Sequence, residues 1–377
     1  MDAPNSFLFL TGETALFSNN LSGSIPKTLG NLAELLEMHL QENSISGAIP
    51  VELESLTKLT RLNLRSNNLD GSIPNIFSLM SELEFMDLSF NNLNGEIPYS
   101  LGSSLSNLME LYLSSNNISG TIPNELGNLP NLQDLDLSSN IISGEIPNQL
   151  GNLSNLFNLK LSSNNISGAI PNQIGSLSNL LYLDLSSNKI SEAIPYQLGS
   201  LSNLTELYLS SNNISGTIPN ELGNLPNLQD LDLSSNIISG EIPNQLRNLS
   251  NLFNLKLSSN NISGAIPNQI GSLSNLLYLD LSSNKISEAI PYQLGSLSNL
   301  LVLNLSSNNL SGAIPNQLEN LSYLEDLDLS FNKLNSTIPV KLCNLTSLAS
   351  INLANNQLSG DIPDSCARFP SARLDSF

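Results

Sequence analysis

The chain has 377 residues, of which 40% are hydrophobic, 5% are aromatic and none is tryptophan, so its core must be built mainly from aliphatic side chains. Its 33 acidic residues outnumber 13 basic residues, for a net charge of −20. This balance excludes a nucleic acid or an anionic membrane surface as partner, because both require a cluster of basic groups.

Residues 1–10 contain the apolar run Phe7-Leu8-Phe9-Leu10, with no basic region before it. The run is too short for the apolar core of a signal peptide, and no window has the 18 or more apolar residues of a membrane-spanning helix. We therefore expect no signal peptide, no transmembrane span and no direct membrane insertion in this chain. Residues 1–10 are expected to be the remnant of a longer N-terminus or a partial cap.

A repeat of 24 residues begins near Thr11 and continues to Pro363. Its most regular feature is an asparagine followed six residues later by Ile and Pro. These asparagines are Asn19, Asn43, Asn67, Asn91, Asn116, Asn140, Asn164, Asn188, Asn212, Asn236, Asn260, Asn284, Asn308, Asn332 and Asn356. One unit has an extra residue near Gly102-Ser103-Ser104, where we expect a loop, because loops tolerate insertions. Fifteen units indicate one solenoid instead of two or three globular domains.

Each unit predicts the same short elements, as in residues 108–132, which read LxxLxLxxNxISGxIPxxLGxLxx. Leu111 and Leu113 alternate with polar neighbours, which is typical of a strand with one buried face. Strands of successive units are expected to pair in parallel and to stack their leucines into a continuous core. The asparagine after the strand is predicted to form a ladder by bonding backbone groups of adjacent coils.

The position four residues after the asparagine is usually glycine, as at Gly120, and glycine adopts positive φ without strain. Glu192, Glu288 and Ser336 replace this glycine in three units, so we expect that positive φ is not obligatory there. The Pro after each Ile removes a backbone donor and ends the short extended segment.

Residues 110–204 recur as residues 206–300, and the two copies differ only at Gly151 and Arg247. A recent tandem duplication or an error of sequence assembly explains the identity. Because copying lengthens a scaffold without designing a ligand site, we expect the middle of the sheet to present a monotonous face.

The unit resembles the plant-specific class of leucine-rich repeat, with the signature LxxLxLxxNxLSGxIPxxLGxL, over residues 11–363. The resemblance implies an α/β-type repeat solenoid, curved or superhelical, with a parallel sheet on the concave face and a second short strand before each Ile-Pro. It also implies an extracellular, glycosylated recognition surface, as in the ectodomains of receptor-like kinases and receptor-like proteins. Kinase motifs are absent, so a kinase domain is expected only in a longer relative. Residues 364–377 are expected to be a C-terminal tail or partial cap.

Cys343 and Cys366 lie at nearly the same place in successive units. Adjacent coils bring such positions to the Cα separation of about 5.5 Å that suits a disulfide. The flanking residues also resemble the late repeats of receptor-like proteins, whereas the N-terminal cysteine pair usual in the family is absent. We expect a disulfide if the protein is secreted and two buried thiols if it is cytosolic.

The outward residue between the two leucines of each strand forms one column along the sheet. The column comprises Ala15, His39, Asn63, Asp87, Tyr112, Asp136, Lys160, Asp184, Tyr208, Asp232, Lys256, Asp280, Asn304, Asp328 and Asn352. Exposed tyrosines on a rigid face favour binding, because they offer a large contact area at a small entropy cost. The alternative is an ordinary solvated sheet face.

The least repetitive part of this face centres on Arg61 and Arg65, with Glu37 and Gln41 among their neighbours. Two arginines suit bidentate binding of a peptide carboxylate, and the alternative is that they only balance nearby acids. In the receptor kinases an RxR pair near the last repeats holds peptide termini, but spacing and location differ here, so that role is not carried over. The candidate ligand-binding residues are His39, Arg61, Asn63, Arg65, Phe85, Asp87, Phe90, Tyr112 and Tyr208.

His39 is the one histidine of the chain. With no second His and no Cys within plausible reach, it is expected to make a surface contact, and the many serines lack a His-Asp partner. We therefore expect no enzymatic activity, no metal site and no cofactor.

Thirteen sequons of the form Asn-x-Ser/Thr are candidate glycosylation sites. They are Asn20, Asn117, Asn152, Asn165, Asn203, Asn213, Asn248, Asn261, Asn304, Asn309, Asn320, Asn335 and Asn344. Much of this number follows from the structural string Asn-Asn-Ile-Ser-Gly, so the count is weak evidence for secretion. Asn304 lies in the sheet column, where a glycan would obstruct the face and direct binding to the N-terminal half or the flank.

Together these patterns predict the extracellular recognition module of a plant cell-surface receptor, part of a longer protein at the plasma membrane or in the apoplast. Its partners are expected to be a peptide, wall-derived or protein ligand and a co-receptor, in defence or development. The alternative is a secreted inhibitor of cell-wall hydrolases resembling polygalacturonase-inhibiting proteins, which typically have nearer ten repeats and four cysteine pairs. An ice-binding surface and a cytosolic scaffold are disfavoured by the charged strand faces and by the many sequons.

Overall fold

The computed structural model describes residues 12–368, which fall into two compact units divided between Ile190 and Ser191. The predictions for residues 1–11, including the apolar run and the partial cap, lie outside the described residues. Within the described range, no helix combines the length and the apolar character needed to span a membrane.

Each repeat contributes one three-residue strand, here called a main strand, to a parallel sheet. The main strands of the first unit are Glu13–Ala15, Glu37–His39, Arg61–Asn63, Phe85–Asp87, Glu110–Tyr112, Asp134–Asp136, Asn158–Lys160 and Tyr182–Asp184; those of the second are Glu206–Tyr208, Asp230–Asp232, Asn254–Lys256, Tyr278–Asp280, Val302–Asn304, Asp326–Asp328 and Ser350–Asn352. Within each unit, neighbouring main strands pair in parallel and in register, so that Leu111 aligns with Met86 and Leu135. The predicted repeat fold with a parallel sheet is confirmed.

The core lies behind the main strands and is aliphatic. The central residue of a strand, such as Leu111, is fully buried, as is Leu113 just after it, whereas Glu110 and Tyr112 point to the opposite side. We call that opposite side the sheet face. Burying one such leucine stabilises the fold by about 1.5–3 kcal/mol, and every coil repeats the contribution against its neighbours.

A second short strand follows the asparagine in thirteen of the fifteen coils described. These strands are Ser22–Gly23, Ser44–Gly47, Asn68–Leu69, Asn94–Glu96, Asn117–Ser119, Ser143–Gly144, Asn165–Gly168 and Lys189–Ile190 in the first unit, and Ser263–Gly264, Lys285–Ile286, Ser311–Ala313, Lys333–Ser336 and Gln357–Leu358 in the second. The other two coils retain only isolated bridges, such as Thr217 with Ser239. The second strand that the resemblance implies is therefore present in most coils.

A single short helical turn closes the outer side of each coil. The 3-10 turns are Lys27–Asn31, Val51–Ser55, Phe77–Leu79, Asn124–Asn128, Asn148–Asn152 and Asn172–Ser176, then Tyr196–Ser200, Asn220–Asn224, Asn244–Asn248, Asn268–Ser272, Tyr292–Ser296, Asn316–Asn320, Leu342–Asn344 and Asp364–Arg368. The loop predicted at Gly102-Ser103-Ser104 is wrong, because Ser100–Ser104 forms an α-helical turn. The extra residue is absorbed by widening the turn from 3-10 to α-helical geometry.

The asparagine ladder forms as predicted. The amide nitrogen of Asn140 donates to the carbonyl oxygens of Leu113 in the preceding coil at 3.0 Å and of Leu137 in its own coil at 3.2 Å. Its oxygen accepts the N–H of Ile118 at 2.9 Å. Asn67, Asn236 and other members of the series repeat these bonds. One short side chain thus satisfies backbone groups that the turn leaves unpaired in the interior.

The expectation for the turn after the second strand is wrong. Glu192, Glu288 and Ser336, which replace glycine there, keep positive φ of 63°, 66° and 70°. The coil geometry therefore imposes the left-handed conformation even on residues with a Cβ atom, at a cost of roughly 1–2 kcal/mol each. The stacking contacts of the neighbouring coils compensate for this strain.

The repeat position of the helical-turn glycine explains why the two cysteines are close together. A Cβ atom added at Gly127 would overlap the carbonyl oxygen of Gln149 in the next coil, so a side chain at this repeat position points directly at the next coil. Cys343 occupies the same repeat position, and it forms a disulfide with Cys366, with the two Cα atoms 5.0 Å apart. The bond joins the last two described coils.

Replacing a ladder asparagine should strongly destabilise the solenoid. We expect Asn140→Ala to lower the free energy of unfolding by about 3 kcal/mol, because it leaves the Ile118 N–H without its acceptor and removes the bond that ties this coil to the Leu113 carbonyl. Asn148, an exposed asparagine of the next helical turn, provides the control. Urea unfolding should show a change of less than about 0.5 kcal/mol for Asn148→Ala. Equal losses in the two variants would contradict the ladder's role.

Restoring glycine at a strained turn should stabilise the protein. We expect Glu288→Gly to raise the free energy of unfolding by about 1 kcal/mol, since the strain of positive φ exceeds the entropy cost of glycine. Glu241→Gly is the matched control, because Glu241 is not among the residues with positive φ. It should lower stability by about 0.5–1 kcal/mol in the same urea titration. A loss of stability in both variants would show that the turn is unstrained.

Candidate functional site

Strand register fixes the column of side chains predicted along the sheet face. Within the first unit, His39 aligns with Asn63, Asn63 with Asp87, and Asp87 with Tyr112. In the second unit, Tyr208 aligns with Asp232 and continues the copied series. The structure therefore brings eight of the nine candidate residues onto neighbouring strands or their ends, and it leaves Tyr208 in the other unit.

Arg61, Arg65, Phe85, Phe90 and Tyr112 form what we call the arginine–aromatic patch. The guanidinium carbon of Arg61 lies 4.2 Å from the centroid of the Phe85 ring, and that of Arg65 lies 4.3 Å from the Phe90 centroid. The Phe85 and Tyr112 rings lie 5.8 Å apart and are tilted. These contacts are within the ranges of cation–π and aromatic pairing, so the patch is ordered before any ligand arrives.

The two arginines are not equivalent. The Arg65 guanidinium donates to the Ser89 hydroxyl at 2.8 Å and lies 3.9 Å from a carboxylate oxygen of Asp87. Arg61 has no ion-pair partner among the described residues 12–368, and its guanidinium carbon lies over the Phe85 ring. A guanidinium over an aromatic ring keeps N–H groups that can donate to a ligand. The patch therefore offers one available guanidinium, on Arg61.

Asp87 is the most buried carboxylate of the column, with 7% of its side chain exposed. One carboxylate oxygen accepts the backbone N–H of Ser89 at 2.9 Å and the Ser89 hydroxyl at 2.5 Å. Burial raises the pKa of Asp87 above its ordinary value, against the opposing effects of Ser89 and of Arg65. Asp87 thus holds Arg65 in place from below the surface.

Phe90 presents an exposed ring at a turn position that has positive φ in every described coil. It has φ of 56°, where most other coils have serine, and 48% of its surface is exposed. The conformation belongs to the repeat, and the exposed aromatic side chain is what distinguishes Phe90. Phe331 is a second aromatic residue in this conformation, in the other unit.

The copied coils show a simpler face. The Tyr112 hydroxyl donates to Glu110 at 2.8 Å, and Tyr208 bonds Glu206 at the same distance. Burial raises the pKa of Tyr112 above its ordinary value, so the phenol is a neutral hydrogen-bonding group. The column aspartates turn back to their own coils, as Asp136 does to Ser138 at 2.6 Å. The monotonous face predicted for the copied units is what these coils present.

His39 lies at the N-terminal side of the patch. Its Nε2 atom is 2.8 Å from a carboxylate oxygen of Glu37, and its ring meets Phe17 edge-on at 6.4 Å between centroids. Register places Glu13 beside Glu37, so that Glu13, Glu37 and His39 have ligand atoms within 4.8 Å of one another. The spacing of residues does not indicate this cluster, because its carboxylates lie on neighbouring strands and only strand register brings them to His39.

All thirteen sequon asparagines are exposed or half-buried. Asn304 lies in a main strand, and its side-chain oxygen accepts the Ser306 hydroxyl at 2.7 Å. No sequon falls between residues 21 and 116, and this stretch contains every member of the arginine–aromatic patch. Glycans on the thirteen sequons would therefore be attached outside the stretch that carries the patch.

Family models match most of the chain. A model of the leucine-rich repeat region matches residues 143–263 and 231–367, and two leucine-rich repeat models match residues 82–142 and 58–80. A sequence search against curated proteins gives no match. The family models confirm the resemblance that the repeat signature indicates.

Solved structures of plant receptors are similar to this chain. The plant peptide hormone receptor RGFR1, in complex with RGF2, is 39% identical with a TM-score of 0.82, over 93% of this chain and 60% of the receptor chain. A TDR receptor is 34% identical with a TM-score of 0.83, over 96% and 66%. The Arabidopsis receptor kinase HAESA, in complex with the peptide hormone IDA and the co-receptor SERK1, is 33% identical with a TM-score of 0.69, over 93% and 71%. The chain thus spans less than two thirds of the first two.

The raised pKa of Asp87 predicts a pH dependence of stability. The native state binds a proton on this carboxyl more readily than the unfolded chain, so its contribution to stability is present in acid and is lost as pH rises. We expect the urea midpoint of Asp87→Asn, which keeps the acceptor for Ser89, to rise relative to that of the wild type as pH increases above about 4, the ordinary pKa of an aspartate. Ser89→Ala removes a hydrogen bond to the Asp87 carboxylate, so the free energy of unfolding should fall more steeply as pH rises. Parallel wild-type and Asp87→Asn profiles would contradict this account.

Proposed function

Because the chain belongs to the leucine-rich repeat family, we propose that it is the ligand-recognition module of a plant cell-surface receptor, placed outside the cell. The relatives at 33–39% identity support this proposal, since two of their complexes contain peptide hormones and one also contains a co-receptor. We propose a peptide as the ligand and a second membrane protein as co-receptor. The downstream pathway is one of defence or development.

The arginine–aromatic patch is the observation that carries the proposal. It joins a guanidinium without an ion-pair partner among the described residues to three aromatic side chains, whereas column aspartates of the copied coils, such as Asp136, bond to serines of their own coils. Aromatic residues and arginine dominate the binding energy of protein interfaces, and a guanidinium binds a carboxylate through two parallel hydrogen bonds. The proposed ligand therefore ends in, or carries, a carboxylate next to an apolar side chain.

The distribution of sequons supports the same location. Glycans on Asn117, Asn165, Asn213 and Asn261 would project from every second coil, each directly after the ladder asparagine. Residues 21–116 would remain free of them, so a peptide could approach the patch from the sheet face or from its flank. The disulfide between Cys343 and Cys366 is consistent with an oxidising, extracellular location.

The proposal predicts that Arg61 contributes more to ligand binding than Arg65. Peptides with free C-termini would be selected from a random twelve-residue display library against the glycosylated chain, and the dissociation constant of the best peptide would be measured by calorimetry. We expect Arg61→Gln to weaken binding by about 30-fold, or about 2 kcal/mol, because it removes a charge-assisted bidentate contact. Arg65→Gln should weaken it less, since Arg65 is already bonded to the protein.

Lys256→Gln in the copied coils is the control for loss of charge, because Lys256 is a cation of the sheet face that lies over the Tyr278 ring and 3.9 Å from a carboxylate oxygen of Asp232. Amidation of the peptide C-terminus should reproduce the loss caused by Arg61→Gln in the wild type. Selected peptides that are insensitive to Arg61→Gln would place the ligand elsewhere. Tight inhibition of a cell-wall hydrolase, without any peptide selected, would favour the inhibitor hypothesis.

A further inference from the structure

Glu13, Glu37 and His39 converge on one point of the sheet face in the first unit. Glu37 and His39 lie on the same strand, separated by the buried Met38, so they point to the same side. Parallel register adds Glu13 directly beside Glu37. One ligand atom from each of the three side chains lies within 4.8 Å of the other two.

The imidazole is held in position. Only 16% of the His39 side chain is exposed, its ring edge meets Phe17, and Nε2 lies 2.8 Å from Glu37. A fixed imidazole next to two carboxylates loses little conformational entropy on coordination, because its orientation is already set. Glu37 is 38% exposed and Glu13 is exposed, so an ion can enter from solvent without rearrangement of the coils.

The charges of the cluster are not balanced within the described residues. The two carboxylates carry a formal charge of −2, and no Lys or Arg forms an ion pair with Glu13 or Glu37 among residues 12–368. Arg61 is the register neighbour of Glu37, but its guanidinium stacks on Phe85. A divalent cation would neutralise this pair of carboxylates.

We propose that Glu13, Glu37 and His39 form a binding site for a divalent transition-metal ion of the zinc class. Zinc is bound by imidazole nitrogen and by carboxylate oxygen at about 2.0–2.2 Å, which places tetrahedral ligands about 3.3 Å apart. The three ligand atoms lie within 4.8 Å of one another, so side-chain rotation would have to shorten this spacing on coordination. The imidazole favours zinc over calcium and magnesium, which prefer all-oxygen sites.

The three side chains supply one ligand fewer than tetrahedral coordination needs, so a bound metal ion could bind a further group. Three protein ligands leave a fourth tetrahedral position for water or for an incoming carboxylate. The cluster directly borders the strand that carries Arg61. A metal ion there would add a positive charge next to the arginine–aromatic patch, although the metal site itself does not depend on the peptide proposal.

Calorimetry with zinc on the full chain, produced without a histidine tag, tests the site. We expect one zinc ion per chain in a non-chelating buffer at pH 7, with weaker binding of calcium and magnesium. His39→Gln should raise the dissociation constant at least about tenfold. Glu13→Gln, at an exposed position that should not disturb folding, should do the same. X-ray absorption at the zinc edge should show imidazole scattering that disappears in His39→Gln.

Glu206→Gln is the matched control, because Glu206 has the strand position of Glu37 in a copied coil without a histidine. Circular dichroism and urea unfolding would first show that each variant is folded. Zinc affinity unchanged in both His39→Gln and Glu13→Gln would overturn the proposal. Binding of zinc at several weak sites, with affinity reduced equally by Glu206→Gln and by Glu13→Gln, would also overturn the proposal. Such binding would reflect only the net charge of −20.

Discussion

The asparagine that follows each main strand is the constraint on which the other features depend. At the end of a main strand the chain turns away from the sheet, and the turn leaves backbone groups of two coils unpaired in the interior. The Asn140 amide bonds the carbonyl of Leu113 and the N–H of Ile118, both in the preceding coil. Because each asparagine ties its coil to the one before it, the ladder fixes the coil spacing and the strand register, and hence the columns of the sheet face.

Close stacking explains two departures from ordinary backbone and side-chain preferences. At the turn after the second strand, Glu192 and Glu288 adopt positive φ, since the coil geometry offers no alternative path. At the helical turn the chain usually has glycine, because a Cβ atom at Gly127 would overlap the next coil. Cys343 exploits the same direction to reach Cys366. Local strain is therefore imposed by neighbours and compensated by the contacts with them.

Periodicity was sufficient to predict the main strands, their parallel register, the ladder and the column of outward residues, because all of these repeat with the sequence. It was insufficient wherever the outcome depends on a contact between particular side chains. Nothing in the spacing of Arg61 and Arg65 indicates that Asp87 and Ser89 bind one of them and leave the other available. Likewise, Glu13 and His39 are 26 residues apart, and only register brings them together.

In a repeat scaffold of this kind, the candidates for function are the coils whose exposed residues differ from the repeated sequence. In the copied coils, column aspartates such as Asp136 and Asp232 accept hydrogen bonds from serines of their own coils. Their carboxylates are therefore already hydrogen-bonded within the protein. The coils around Arg61 instead place a guanidinium and aromatic rings on neighbouring strands of the sheet face. Phe90 occupies the turn position that has positive φ in every described coil, and it replaces the usual serine with an exposed ring. That ring lies against Arg65, on a stretch of the solenoid without sequons.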